Sequence, residues 1–232
     1  MICYLPIDVP KIPYDENYYW WFFNKYKKTG HGVWDTVTLM ENHYTQKMGM
    51  ICSAVKYLKN GQWYWKDNVK QYLPELIAFI EALPLRYLGY VSIFSNNDFV
   101  KPHHDLVPKT LNSPVVQRCE FKDYDWTGYN FMQNEYANEC KDHEPSSYRI
   151  ILAGDRATSF FVCSKTTPEN RIYGVLPETT DTFAFNTTGC LHGADKNENK
   201  LLVFISGWLD FEKHDTLVKQ SIQKYKSNTI IL

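Results

Sequence analysis

The sequence predicts a mainly β protein, an antiparallel sandwich or barrel with helices from its N-terminal part packed on one face. Two observations carry this. The last third is a series of short apolar segments separated by turn residues, at the spacing of an antiparallel meander. Helical periodicity, by contrast, is confined to two stretches before residue 84.

Residues 1–13 alternate apolar residues with prolines and suit an edge strand or an irregular arm. Asp15 is placed to cap a helix through Tyr18, Tyr19, Phe22, Phe23 and Tyr26. That spacing makes one aromatic face, which reads as core. Lys25, Lys27 and Lys28 suit the dipole at its end, and Gly30 is the expected stop, with His31 in the turn. Residues 33–39 and 50–57 look strand-like. Pro74 opens a second helix whose Leu76, Ile77, Phe79, Ile80 and Leu83 form a buried stripe, and Pro84 closes it. Residues 87–94 read as a strand, and Asn96, Asn97 and Asp98 as a turn.

Residues 106–147 have no clear period and carry prolines, charges and isolated aromatics. A stretch this long inside a patterned domain is a functional loop, and its aromatics argue against disorder. Strands are then expected at 148–153, 158–163, 171–176, 182–186 and 200–209, with a turn bearing His192 before the last. There is no repeat or linker, so residues 1–232 are taken as one domain: a helix-rich support (1–84), the strands, and the insertion 106–147 as a substrate lid.

With 25 Lys and Arg against 26 Asp and Glu, the near-neutral balance gives no electrostatic reason to expect nucleic acid or an anionic membrane as partner. The six cysteines are scattered without a CxxC pair, which suggests neither a zinc module nor a dense disulfide framework. The N-terminus lacks the pattern of a signal peptide, and no apolar run reaches membrane-spanning length. The expectation is a soluble, reduced, cytoplasmic protein, in which the sequon at Asn186 is incidental.

The chemistry centres on Pro102-His103-His104-Asp105. In extended backbone, residues two apart share a side, so His103 and Asp105 point one way and His104 the other. Alone, the tripeptide equally suits a solvated turn or a salt-bridged pair. A third ligand must come from elsewhere, and His192, between Gly189 and Gly193, is the best-placed candidate. Two histidines and a carboxylate with open positions opposite make the facial triad of non-haem Fe(II) oxygenases. A dicarboxylate cosubstrate also needs a cation on a rigid strand. Arg149 lies among residues that look buried, where a bound carboxylate or a cross-strand ion pair would serve as its partner, and Lys200 opens the last strand or is simply a solvated strand end.

In order and spacing, Leu83-Pro84 before a strand, Pro102-His103-His104-Asp105, Tyr148-Arg149-Ile150-Ile151-Leu152, Asp181-Thr182-Phe183-Ala184-Phe185-Asn186, and His192 with Lys200-Leu201-Leu202-Val203-Phe204 resemble the iron(II)/2-oxoglutarate-dependent dioxygenases, most of all their aspartyl/asparaginyl β-hydroxylase branch. The resemblance covers about residues 74–210. It implies a double-stranded β-helix (a jelly roll, cupin-like), Fe(II) held by His103, Asp105 and His192, and 2-oxoglutarate anchored by Lys200 and Arg149. The implied reaction consumes O2 and 2-oxoglutarate, releases succinate and CO2, and hydroxylates an amino acid, peptide or protein side chain. Two departures stand out. Lys200 occupies a position where the family more often has arginine, and Arg149 is far from Asp105 in sequence, leaving Arg118 as a competing assignment. A non-catalytic jelly-roll module binding metal or ligand, and an adhesion or capsid-type sandwich, are the other readings.

Overall fold

The computed structural model describes residues 2–27, 50–54, 56–59, 62–96, 99–103, 148–164, 167, 169–186 and 190–232. The expected strand at 33–39, the stop at Gly30 and His31, His104 and Asp105, and the whole stretch 106–147 with Arg118 lie outside these residues.

The chain opens with β1 (Ile2–Pro6) and α1 (Glu16–Tyr26). Asp15 caps α1 as expected, its carboxylate accepting from the Tyr18 N–H at 2.9 Å. The helix ends at Tyr26 rather than running to Gly30, and Lys27 turns extended behind it. There follow β2 (Met50–Ala54), β3 (Lys56–Lys59), β4 (Gln62–Trp65), α2 (Asp67–Tyr72) and α3 (Pro74–Glu81), with Pro74 in the first turn of α3.

Next come β5 (Leu85–Asn96), β6 (Val100–His103), β7 (Tyr148–Ala153), β8 (Ala157–Cys163), β9 (Arg171–Val175), β10 (Thr182–Phe185), β11 (Leu191–Ala194) and β12 (Asn197–Leu209). α4 (Phe211–Lys224) and the two-residue β13 (Ile230–Ile231) close the chain.

From β5 to β12 the chain passes between two antiparallel sheets. The larger has the order β13-β1-β10-β7-β12-β5-β2, and the smaller β6-β11-β8-β9. The four strands β10-β7-β12-β5 face the smaller sheet, which is the eight-stranded double-stranded β-helix, or jelly roll.

Alternation along the strands sorts the core into two layers. On β12, Leu201, Val203 and Ile205 point to an outer layer with Tyr19, Phe22 and Phe23 of α1 and Leu76 and Ile80 of α3. Leu202 points the other way, into an inner layer between the sheets with Ile151, Phe160, Val162, Phe183 and Phe185. The aromatic stripe of α1 is therefore core. Each such ring, fully buried, contributes roughly 1.5–3 kcal/mol relative to exposure.

Three expectations need correction. β1 is not an edge strand. It pairs with β10 on one side and with β13 on the other, and Pro6 falls at its end, where the missing N–H is least costly. His192 sits on a strand, not in a turn, because β11 is held between β6 and β8. The cysteines are not all reduced: Cys3 and Cys190 form a disulfide with Cα atoms 5.6 Å apart. The bridge ties β1 to the residue just before β11.

Candidate metal and cosubstrate site

His103 ends β6 and His192 is the second residue of β11, and the register sets them directly opposite each other. Residues opposed across an antiparallel pair share a face, so the two imidazoles meet, with ring centroids 4.5 Å apart. His192 is buried, packed on Phe160 and Phe185, while His103 is half-buried towards the mouth.

Each imidazole is oriented by its own strand. His103 Nδ1 lies 2.7 Å from the Lys101 carbonyl, and His192 Nδ1 lies 3.0 Å from the Cys190 carbonyl. A carbonyl can only accept, so both Nδ1 atoms donate, and in a neutral ring Nε2 is then the nitrogen left to bind a metal. An N–H···O=C contact of this kind is what orients and polarises a metal-ligating histidine.

Asp105, expected as the third ligand, lies outside the described residues, and among those no cluster of three or more His, Cys, Asp or Glu occurs. The donor set is nonetheless of the right kind, since two adjacent imidazoles suit Fe(II) when a carboxylate joins them.

The same row of the small sheet continues from His192 to its partner Val162 on β8, and from Val162 to exposed Ile172 on β9. On the large sheet, a second row crosses three pairings: Ser92 on β5 opposite Phe204 on β12, Phe204 opposite Arg149 on β7, and Arg149 opposite Phe183 on β10.

Arg149 is buried and faces the inner layer. Its guanidinium lies 4.3 Å from the Phe204 ring centroid and 5.1 Å from that of Phe185, and Nη1 donates to the Tyr148 carbonyl at 2.8 Å. Phe185 is thus a common wall, in contact with both Arg149 and His192.

Behind Arg149, on the outer face of β7, the Tyr148 hydroxyl lies 2.7 Å from His214 Nδ1 on α4. Burial holds His214 below the usual imidazole range and Tyr148 above the usual phenol range, so the phenol donates to a neutral imidazole. This bond pins the strand that carries Arg149.

Lys200 is wholly buried within β12, not a solvated strand end. Its Nζ donates to the Ala157 carbonyl at 2.8 Å, and burial pulls its pKa down to about 8 against a weaker opposing pull from Asp155. Ala157 begins β8, whereas Val162, the partner of His192, is five residues further on, roughly 16 Å at about 3.3 Å per residue. Phe185 therefore joins Arg149 to His192, with His103 opposite His192, while Lys200 reaches the start of β8, well along that strand from Val162.

Ser92 was not legible as a site residue from sequence. It is fully buried, lies in the row of Arg149, and its Oγ has no hydrogen-bond partner among the described residues. A buried hydroxyl left unpaired is costly unless a ligand satisfies it. The one signal in the sequence was a serine between the apolar Val91 and Ile93, on the opposite face of the strand.

No family model matches the chain, and no curated protein matches it. Among solved structures, the chain is similar to an oxidoreductase of the 2OG-Fe(II) oxygenase family from Burkholderia pseudomallei. The identity is 10%, with 69% of this chain and 68% of that one covered and a TM-score of 0.33. No helix among the described residues is long and apolar enough to cross a membrane.

Proposed function

We propose that the protein is an Fe(II)- and 2-oxoglutarate-dependent oxygenase that hydroxylates an amino acid, peptide or protein side chain. The observation that carries this reading is the pair His103 and His192, opposed across β6 and β11 at the mouth of a jelly roll, each with Nδ1 committed to a backbone carbonyl. The motif order in the sequence supports the aspartyl/asparaginyl β-hydroxylase branch as the finer assignment.

In this reading His103 and His192 hold the metal through Nε2, and Asp105, two residues beyond His103, supplies the carboxylate. When bound, Fe(II) with 2-oxoglutarate supplies oxygen activation coupled to decarboxylation, giving succinate, CO2 and a hydroxylated C–H bond. The chain's own part is to bind, orient and exclude water. Arg149 neutralises a carboxylate of the cosubstrate from the wall it shares with His192, and Ser92 offers it a hydroxyl. Phe160, Phe185 and Phe204 keep that space dry, which strengthens the charge pairing within it. Lys200, with its Nζ on the Ala157 carbonyl, is not drawn into this contact, and residues 106–147 are proposed as a substrate lid.

The test is anaerobic addition of Fe(II) and 2-oxoglutarate, followed by a turnover assay. A weak visible charge-transfer band and succinate formation in air are expected, both lost in His103→Ala. A wild-type protein indistinguishable from that variant in metal binding would falsify the reading.

A further inference from the structure

We infer that the Cys3–Cys190 disulfide is a positioning device for His192, and that its redox state sets how tightly the site holds a divalent metal. The inference rests on the metal-site reading above and concerns residues which that reading leaves without a role.

The bridge does not stand alone. Cys190 N–H donates to the Asn186 carbonyl at 3.1 Å, and Asn186 N–H donates to the Cys3 carbonyl at 3.0 Å. The S–S bond and these two hydrogen bonds close a ring of three residues, tying the backbone at Cys190 to β1, itself a paired strand inside the large sheet. The Cys190 carbonyl is also the acceptor for His192 Nδ1–H at 3.0 Å. The group that orients the buried imidazole is therefore held in place by a covalent link to another strand.

β11 is paired with β8 from Leu191 onward and with β6 at His192, but Cys190 lies just before that pairing. The strand is four residues long, and Leu191 is half-buried. His103 has no disulfide behind it: its Nδ1 partner is the carbonyl of Lys101, an exposed residue of the same strand.

Reduction by a dithiol gives two electrons and two protons to the bridge, leaving thiols at Cys3 and Cys190, while the dithiol becomes its own disulfide. The backbone at Cys190 then keeps the Asn186 contact and the pairing of the next residue, Leu191, with Cys163, but loses its covalent tie to β1. Loss of an outer contact to a metal-bound histidine typically weakens metal binding by roughly 10–100-fold. Both sulfurs belong to buried residues, so reduction requires local opening of β1 and is slow in the folded protein.

The experiment is an anaerobic Co(II) titration of the full chain in three forms: oxidised, reduced with a dithiol and then desalted, and reoxidised. We expect the reduced form to bind Co(II) about tenfold more weakly, with unchanged far-UV circular dichroism, and reoxidation to restore affinity. In the Co(II)-loaded protein, the hyperfine-shifted His192 Nδ1–H resonance should exchange faster with solvent after reduction, an effect that a staple remote from the metal would not produce. Cys3→Ala, which opens the bridge from β1 and leaves the Cys190 carbonyl in place, should reproduce the weakening. Equal affinities in the oxidised and reduced forms overturn this inference alone. Collapse of the dichroism in both the reduced form and Cys3→Ala also overturns it, by showing a global staple. Failure of the oxidised protein to bind Co(II) removes the metal-site reading, and this inference with it.

Discussion

His103 and His192 are Cα partners across β6 and β11, with ring centroids 4.5 Å apart although they stand 89 positions apart in the chain. Local sequence cannot produce such a pairing. It arises because the jelly roll returns β11 to the side of β6, so a histidine near the start of one strand meets a histidine at the end of the other.

Replacing either histidine should therefore remove metal binding without removing the fold. His103 is half-buried, and His103→Ala is expected to keep its melting temperature within a few degrees while Fe(II) affinity falls more than tenfold, a difference calorimetric titration can read. His192→Ala should lose the metal equally and also lose stability, because it leaves a hole between Phe160 and Phe185. If His103→Ala binds Fe(II) as wild type does, the pairing is structural only.

Gly193 gives a sharper test of how closely the two strands must approach. A Cβ there would lie 2.5 Å from the Val100 carbonyl oxygen and 2.5 Å from Phe161 Cζ. Val100 is on β6 and its oxygen is backbone, so it cannot swing aside. Gly193→Ala should push β11 from β6, destabilise the protein by about 1–3 kcal/mol through overpacking, and weaken metal binding even though no ligand has changed. Unchanged Fe(II) affinity in a destabilised Gly193→Ala protein would show that the two histidines do not need this spacing.

Arg149 tests the cosubstrate side. A hydrogen bond to a charged group contributes about 1.5–3 kcal/mol, so Arg149→Met should raise KM for 2-oxoglutarate by at least about tenfold and affect substrate-saturated kcat less. Arg149→Lys should restore only part, since a point charge replaces a planar fork that also stacks on Phe204. Ser92→Ala should raise KM a few-fold. Kinetics across 2-oxoglutarate concentrations decide this, and an unchanged KM in Arg149→Met would give the role to another cation.

The same particulars separate what local sequence carries from what only the assembled fold carries. Strands β7, β8, β9 and β10 were legible because each is a short apolar run bounded by turn residues, and α1 and α3 because cap and stripe agree. His103 and His192 were legible as residues of ligand type in extended or turn settings, though not as direct partners. α4 escaped notice: its buried side is carried by Leu217, Val218 and Ile222 among many polar residues, with Ser221 and His214 making polar contacts inward. The Cys3–Cys190 bridge escaped because pairing across 187 residues depends on which strands become neighbours. Ser92 looks like any solvated serine until its strand is placed. Lys200 was seen as a cation, but its complete burial follows only from the inner layer of β12.

That burial makes Lys200 a pH probe of the barrel. Its ordinary value is 10.5, and burial lowers it to about 8 in the folded chain. Below both values the ammonium is protonated in either state, and the folded protein bears the full penalty of the buried charge. Between them the unfolded chain holds a proton that the folded chain has released, so stability rises with pH. At 1.36 kcal/mol per pKa unit the whole rise is on the order of 3 kcal/mol. Lys200→Met lacks this rise, and it also leaves the Ala157 carbonyl without its donor, at a cost of about 1–3 kcal/mol. The variant should therefore compare best with wild type near neutral pH, and fall behind it steadily as the pH passes from about 8 to 10.5. Urea unfolding of both proteins across that window measures the difference directly. A gap that does not change with pH would mean that Lys200 titrates alike in the folded and unfolded states, and that its ammonium is solvated in the barrel.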